Sequence, residues 1–158
     1  NRVTSIIGAR TKNLLIMEDE MMAASTDLIV TTDDGSYGVH GFVTTELQRL
    51  INEKIPIDLV VAIGPVVMMR ALCNVTKPYK IKTLVSLNSI MVDGTGMCGA
   101  CRITVDGKTR FVCVEGPEFD GHGVDFDELL KRQRIYLQEE ELAVKEFARC
   151  QSCSGGLK

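Results

Sequence analysis

A chain of 158 residues, 45% hydrophobic and 25% charged with a net charge of −3, has the length of one globular domain or of one domain with an appendage. Its composition excludes disorder, collagen and coiled coil, and its mildly acidic balance offers no basic stripe for nucleic acid. No apolar run reaches the ~18 residues a membrane span requires, and the opening NRVTSIIGAR lacks the apolar core and cleavage site of a signal peptide. The expected compartment is the cytoplasm, where the six cysteines, at positions 73, 98, 101, 113, 150 and 153, stay reduced; clustered thiols there point to metal or redox chemistry.

In chain order, Val3 to Ile7 reads as a buried strand, Glu18 to Ala24 as a helix and Leu28 to Thr32 as a second strand. Val43 to Lys54 reads as a helix with Val43, Leu47, Leu50 and Ile51 on one face, followed by a buried strand from Leu59 to Ile63, a helix from Val66 to Cys73 and a buried strand from Lys82 to Leu87. Alternation of this kind predicts βαβ units around a parallel sheet, which binds ligands outside the carboxyl ends of its strands. The chain opens almost inside a strand, so a doubly wound domain would lack its first strand, phosphate loop and helix. Three strand ends carry candidates: Arg10, which is equally an ordinary surface cation; the loop with Asp33, Gly35, Ser36 and Gly38, whose glycines let backbone approach a phosphate or ribose, although acidic glycine turns are also common loops; and Gly64-Pro65. Met68 and Met69 read as core filler, Cys73 as a small buried residue, and His40 and His122 show no acid or base signature in the sequence pattern.

The pattern changes near Asn88. From there to Asp125 lie seven of the fourteen glycines and three cysteines, with Val105-Asp106-Gly107-Lys108 as a hairpin signal. The spacing from Asp93 through Cys98 and Cys101 to Cys113 is D-x4-C-x2-C-x11-C, against the C-x4-C-x2-C with a distant fourth cysteine of plant-type [2Fe–2S] sites, so Asp93 occupies the first ligand position. Gly94, Gly96 and Gly99 permit the positive φ angles by which a loop curls around such a group, and a turn at Asp106-Gly107 brings Cys113, on the return strand, nearly opposite Cys101. Structural zinc on three cysteines and an aspartate, and plain burial of small thiols, are the competing readings; zinc usually takes two separated knuckles, and this loop has one. Phe126 to Phe147 reads as a helix capped by Asp125 or Asp127, with a solvated face at Gln138 to Glu141. The end that follows reads as flexible, with Cys150 and Cys153 open to three readings: a ligand pair, a disulfide or neither.

The run Asn88-Ser-Ile-Met-Val-Asp93-Gly-Thr-Gly-Met-Cys98-Gly-Ala-Cys101-Arg, with Cys113-Val-Glu-Gly-Pro-Glu-Phe-Asp-Gly-His122, resembles the small subunits of NADH-dependent ferredoxin:NADP oxidoreductases, called sulfide dehydrogenases in some archaea. More broadly it is similar to the electron-transfer subunits of dihydroorotate dehydrogenase, within the ferredoxin reductase superfamily. Those dihydroorotate subunits use four cysteine ligands, whereas the bifurcating-transhydrogenase branch has one aspartate, so Asp93 selects between the two. The resemblance implies an α/β fold: a partial nucleotide-binding domain over residues 1–88, a small β-hairpin iron–sulfur subdomain over 89–125, and a C-terminal helix and tail over 126–158. It implies Asp93, Cys98, Cys101 and Cys113 as ligands of a [2Fe–2S] cluster, NAD(H) or NADP(H) at the loop of Asp33, Gly35, Ser36 and Gly38 with Gly64, Pro65 and Arg10, and FAD on a domain outside this sequence. Ile63 stands where the superfamily usually has a cysteine. The implied partners are a large flavoprotein subunit resembling the glutamate synthase small chain and, through that complex, ferredoxin. The implied function is an electron-transfer subunit of an NAD(P)H-dependent oxidoreductase, with a dihydroorotate dehydrogenase subunit as the nearer alternative and a non-catalytic zinc-knuckle scaffold as the farther one.

Overall fold

The computed structural model describes residues 2–154, with side chains placed through residue 149, and divides after Leu84 into two compact units. The first contains β1 (Thr4–Ala9), α1 (Glu18–Ala24), β2 (Asp27–Thr32), β3 (Val39–His40), α2 (Val43–Asn52), β4 (Leu59–Ile63) and α3 (Val66–Thr76), and β5 (Lys82–Ser86) carries the chain into the second. β1 and β2 pair in parallel from Thr4 opposite Asp27 to Ala9 opposite Thr32, which sets the ends of both strands side by side. The two-residue β3, which alternation could not signal, joins β2 in parallel at Thr31 and Thr32. β4 and β5 are neighbours in a separate ladder.

Helix α2 packs on β1 and α3 and buries Leu47 and Leu50. Its Val43 lies so close to Gly8 that a Cβ there would approach Val43 Cγ1 to 2.6 Å, which explains a glycine in mid-strand. The helix ends at Asn52, two residues short of the expected limit, because Lys54 turns to a φ of 57°. α3 runs three residues beyond Cys73 to Thr76, whose hydroxyl receives a 2.7 Å hydrogen bond from the buried Thr83. Cys73 and Met69 are buried as expected, but Met68 is not core: its Cε lies over Gly64. The expectation of wholly buried strands at residues 3 to 7 and 59 to 63 is also corrected: no residue of β1 is fully buried, and β4 is buried on one face only. Ala62 is buried, whereas Leu59, Val61 and Ile63 are exposed, the period of two putting them on the opposite face.

The second unit contains β6 (Arg102–Val105), β7 (Lys108–Phe111), α4 (Val112–Glu115), β8 (Glu118–Asp120), α5 (Phe126–Gln133) and α6 (Leu137–Ser154). β6 and β7 form the expected antiparallel hairpin, with Asp106 and Gly107 at φ of 50° and 71°, the left-handed pair that a tight two-residue turn requires. The next segment runs back beside β6: Asp106 N–H donates to the Gly123 carbonyl at 2.8 Å, and Asp125 N–H to that of Thr104 at 2.9 Å. α5 packs on β6, and Ile103, Val105, Val112, Phe126 and Leu129 are buried.

The single helix expected from Phe126 to Phe147 is two. α5 ends at Gln133, its C-cap Arg134 leaving the helix with a ψ of 2°, and α6 begins at Leu137. α5 buries Phe126 and Leu129, whereas Leu137, Leu142, Val144 and Phe147 of α6 are exposed, so the two stretches share no buried face that would hold them as one rod. Residues 155–158 and the side chains of Cys150 and Cys153 lie outside the described residues. Among the described residues no helix is long and apolar enough to cross a membrane.

Asp125 is the cap of α5, its carboxylate accepting the Glu128 N–H at 2.9 Å. Asp125→Ala should lower unfolding free energy by about 1 kcal/mol in urea titration, while Asp125→Asn, which keeps an acceptor, should stay close to wild type.

Candidate cluster loop and nucleotide loop

The segment between Asn88 and β6 is held by backbone turns rather than by secondary structure. Asp93 nucleates it: one carboxylate oxygen accepts the Thr95 N–H at 2.9 Å and the other the Cys98 N–H at 3.2 Å. Gly94, Gly96 and Gly99 all have positive φ, as expected, and at Gly96 a side chain would also meet Val114 Cγ2 at 2.7 Å. The Ala100 N–H donates to Cys98 Sγ at 3.5 Å, a main-chain donor directed at a thiol sulfur. Cys98 itself is exposed and Cys101 is buried.

The hairpin brings the third thiol in, one step later than expected. β7 ends at Phe111, so Cys113 is not on the return strand but in the first turn of α4. The Val112 N–H closes onto the Cys101 carbonyl at 3.3 Å, which sets Cys113 Sγ 3.3 Å from Cys101 Sγ and its N–H 3.5 Å from the same sulfur. Two thiolates on one tetrahedral ion with metal–sulfur bonds of about 2.3 Å lie roughly 3.8 Å apart, so this pair is within a small adjustment of sharing one metal. The donors thus fall into two groups, Cys101 with Cys113 and Asp93 with Cys98. Among the described residues no three His, Cys, Asp or Glu side chains converge on a single point. The hydrogen bonds from Thr95, ahead of those from Cys98, hold the Asp93 carboxyl below its ordinary range, and the Cys101 thiol together with burial pushes Cys113 up. Asp93 is therefore present as a carboxylate donor at neutral pH.

In the first unit the loop after β2 is stitched to the end of β1. Asp33 N–H donates to the Ala9 carbonyl at 3.0 Å and Asp34 N–H to that of Arg10 at 3.2 Å, which places Arg10 beside the acidic loop. Gly35 N–H returns to the Thr32 carbonyl, Ser36 N–H to the Asp34 carboxylate, and Tyr37 N–H to the Thr32 hydroxyl. Ser36 Oγ accepts the Lys12 N–H at 2.9 Å, Tyr37 donates its hydroxyl to Glu18 at 2.8 Å, and the Lys12 ammonium stands over the Tyr37 ring. Each amide from Asp33 to Tyr37 is thus engaged inside the protein, and what the loop can offer a ligand is its side chains. Gly38, at a φ of 64°, abuts the Val30 carbonyl so closely that a Cβ would lie 2.3 Å from the oxygen, so this glycine is required by packing on β2. Gly64 and Pro65 end β4 and open α3, where the Pro65 carbonyl accepts the Met68 and Met69 amides.

Residues that the motif did not reveal complete the cluster loop. The carbonyls of Gly99 and Ala100, the two residues between Cys98 and Cys101, accept guanidinium N–H groups from Arg102 at 3.2 Å and from Arg132 at 2.8 Å. Gln133 donates to the carbonyl and the side chain of Asn88 at 3.0 and 3.1 Å. Arg132 and Gln133 sit on α5, and the sequence separation of 32 between Arg132 and its partner leaves no local signal of the contact.

A parallel-stranded α/β unit followed by a glycine-rich, cysteine-bearing loop and hairpin is a fold of the ferredoxin-reductase type. Residues 88–125 match the family model of the iron–sulfur cluster binding domain of dihydroorotate dehydrogenase B. The chain is 48% identical, over 93% of its length and 51% of the relative's, to a Thermotoga maritima homologue of the dihydroorotate dehydrogenase B (NAD(+)) electron-transfer subunit. It is 37% identical, over 74% of its length and 45% of the relative's, to that subunit from Streptococcus thermophilus. Among solved structures it matches one of an NADH-dependent reduced ferredoxin-NADP oxidoreductase, described in terms of flavin-based electron bifurcation, with a TM-score of 0.83 and 47% identity, covering 94% of this chain and 53% of that one. The chain is similar to these electron-transfer subunits and spans about half the length of the relatives it matches.

Gly38→Ala should destabilise the first unit by more than the ~1 to 2 kcal/mol of a left-handed residue alone, because the added methyl also strikes the Val30 carbonyl. Gly41→Ala, at a positive φ but with open space around it, should cost less in the same thermal unfolding comparison.

Proposed function

We propose that this chain is part of an electron-transfer subunit of an NAD(P)H-dependent flavin and iron–sulfur oxidoreductase, in which Asp93, Cys98, Cys101 and Cys113 hold a [2Fe–2S] cluster. The observation that carries the reading is the cluster loop itself: a matched iron–sulfur domain whose hairpin sets Cys101 and Cys113 thiols 3.3 Å apart while an ionised Asp93 shares its loop with Cys98. Two donor pairs suit a rhomb with two irons better than a single tetrahedral zinc, which needs four converging donors. A bound [2Fe–2S] group supplies one-electron chemistry, so no side chain here needs to act as a proton-transfer catalyst. The chain's own contribution is to fix the ligands, present main-chain N–H groups to sulfur and limit water at the buried Cys101.

In this reading residues 1–88 are the nucleotide part, 89–125 the cluster part and 126–158 a C-terminal appendage. NAD(H) or NADP(H) meets Asp33, Ser36 and Arg10 through side chains, with Gly35 and Gly38 shaping the loop and Gly64-Pro65 forming the neighbouring strand end. FAD lies on a part of the protein outside this sequence, the partner is a larger flavoprotein subunit resembling the glutamate synthase small chain, ferredoxin exchanges electrons with that complex, and the whole works in the cytoplasm. The dihydroorotate dehydrogenase alternative is supported by the names of the matched relatives; Asp93 in the first ligand position favours the ferredoxin:NADP oxidoreductase branch.

Serine at Cys98, Cys101 or Cys113 should sharply reduce iron and sulfide per chain or alter the visible spectrum of the purified protein, while Cys73→Ser, in α3, leaves iron content alone. Equal iron loss from Cys73→Ser and Cys98→Ser would overturn the ligand assignment, and a colourless protein containing zinc would overturn the cluster.

Replacing Asp93 separates the branches. Asp93→Cys should retain two irons and two sulfides with altered visible and EPR spectra, whereas Asp93→Ala should give a labile cluster. An Asp93→Ala protein with unchanged spectrum and cluster lifetime would show that another group is the fourth ligand.

A further inference from the structure

The knuckle between Cys98 and Cys101 consists of two peptide units whose carbonyl oxygens are both capped by cations. In the first, the oxygen of Gly99 accepts from Arg102, and the N–H of the same peptide, that of Ala100, donates to Cys98 Sγ. In the second, the oxygen of Ala100 accepts from Arg132 at 2.8 Å, and the N–H of that peptide belongs to the buried Cys101. A trans peptide carries its N–H on the side opposite its carbonyl, so a guanidinium on the oxygen polarises the amide and strengthens its N–H as a donor, which in the first peptide faces Cys98 Sγ. Arg132 is half-buried, and its charge is screened less than that of the exposed Arg102.

We propose that Arg132, assisted by Arg102, is a positioning residue that raises the reduction potential of the cluster by polarising these two peptides. The inference rests on the functional reading above, in which Asp93, Cys98, Cys101 and Cys113 are the ligands. Three thiolates and a carboxylate bring four negative charges to the site, and reduction adds one more. A fixed cation acting through the knuckle therefore stabilises the reduced form more than the oxidised one, and hydrogen bonds to the ligand sulfurs act in the same direction. Helix α5 has a second, uncharged hold on the loop, Gln133 on Asn88, and the two contacts can be separated experimentally.

The test is EPR-monitored redox titration of the cluster in the full-length subunit, with iron content, cluster lifetime and circular dichroism measured on the same samples. Arg132→Gln should lower the equilibrium constant for one-electron reduction about tenfold, a fall in midpoint of about 59 mV. Arg132→Lys, which keeps the charge, should recover most of that shift. Arg102→Gln, on an exposed side chain whose loss should not unfold the domain, should move the midpoint in the same direction by less. Gln133→Ala should shorten cluster lifetime without moving the midpoint. An unchanged or raised midpoint in both arginine variants overturns the proposal, as does a fall in Gln133→Ala equal to that in Arg132→Gln, which would assign the effect to loop packing. A wild-type protein without a [2Fe–2S] signal overturns the functional reading, and that result differs from a cluster whose potential ignores these arginines.

Discussion

The register of the β6–β7 hairpin is the constraint on which the cluster loop depends. Arg102 pairs with Phe111 and Val105 with Lys108, so the strand after the turn delivers Val112 opposite Cys101 and leaves Cys113 with its sulfur against the Cys101 thiol. A slip of one residue would send each side chain to the other face of the ribbon. Two things resist it: Ile103 and Val105 are buried on β6, and the Asp106-Gly107 turn accepts only left-handed backbone. A hydrophobic pair and a turn, neither bearing any chemistry, thus determine whether two thiols meet.

The two loops use their main chain in opposite ways. In the cluster loop, amides of Thr95, Cys98 and Ala100 are directed at the candidate ligand side chains, so backbone geometry and ligand geometry are one problem. After β2, the amides of Asp33 through Tyr37 hold the loop to β1, to Thr32 and to itself. That loop is a rigid carrier for its side chains, with Arg10 delivered to its flank by the parallel pairing of β1 and β2. The acidic and glycine residues have one appearance in sequence and two physical roles.

Helix α5 links the fold of the second unit to its chemistry. Its apolar face is buried through Phe126 and Leu129, and it packs on β6. This seat sets the pitch at which Arg132 and Gln133 reach Ala100 and Asn88, the two ends of the loop. The helix stops at Gln133, and the residues beyond it bury no comparable face, so the polar clamp occupies the last turn that packing holds in place.

Sequence alone determined most of the elements and nominated the candidate ligands. Helix α1 and strand β4 have the limits read from periodicity, β1, β2 and β5 agree to within about two residues, and the hairpin turn stands at Asp106-Gly107, because patterning, glycine and proline act through local backbone sterics. The spacing from Asp93 to Cys113 was legible for the same reason: most of the site is one continuous stretch of chain. Tertiary structure decided what depends on contacts distant in sequence. It placed Cys113 in α4 rather than in a strand, split the last helix at Arg134, exposed one face of β4, and set Gly38 against Val30. It also brought Arg132 across a sequence separation of 32 to a carbonyl beside Cys101, since a main-chain acceptor has no residue identity and so leaves no trace in a sequence.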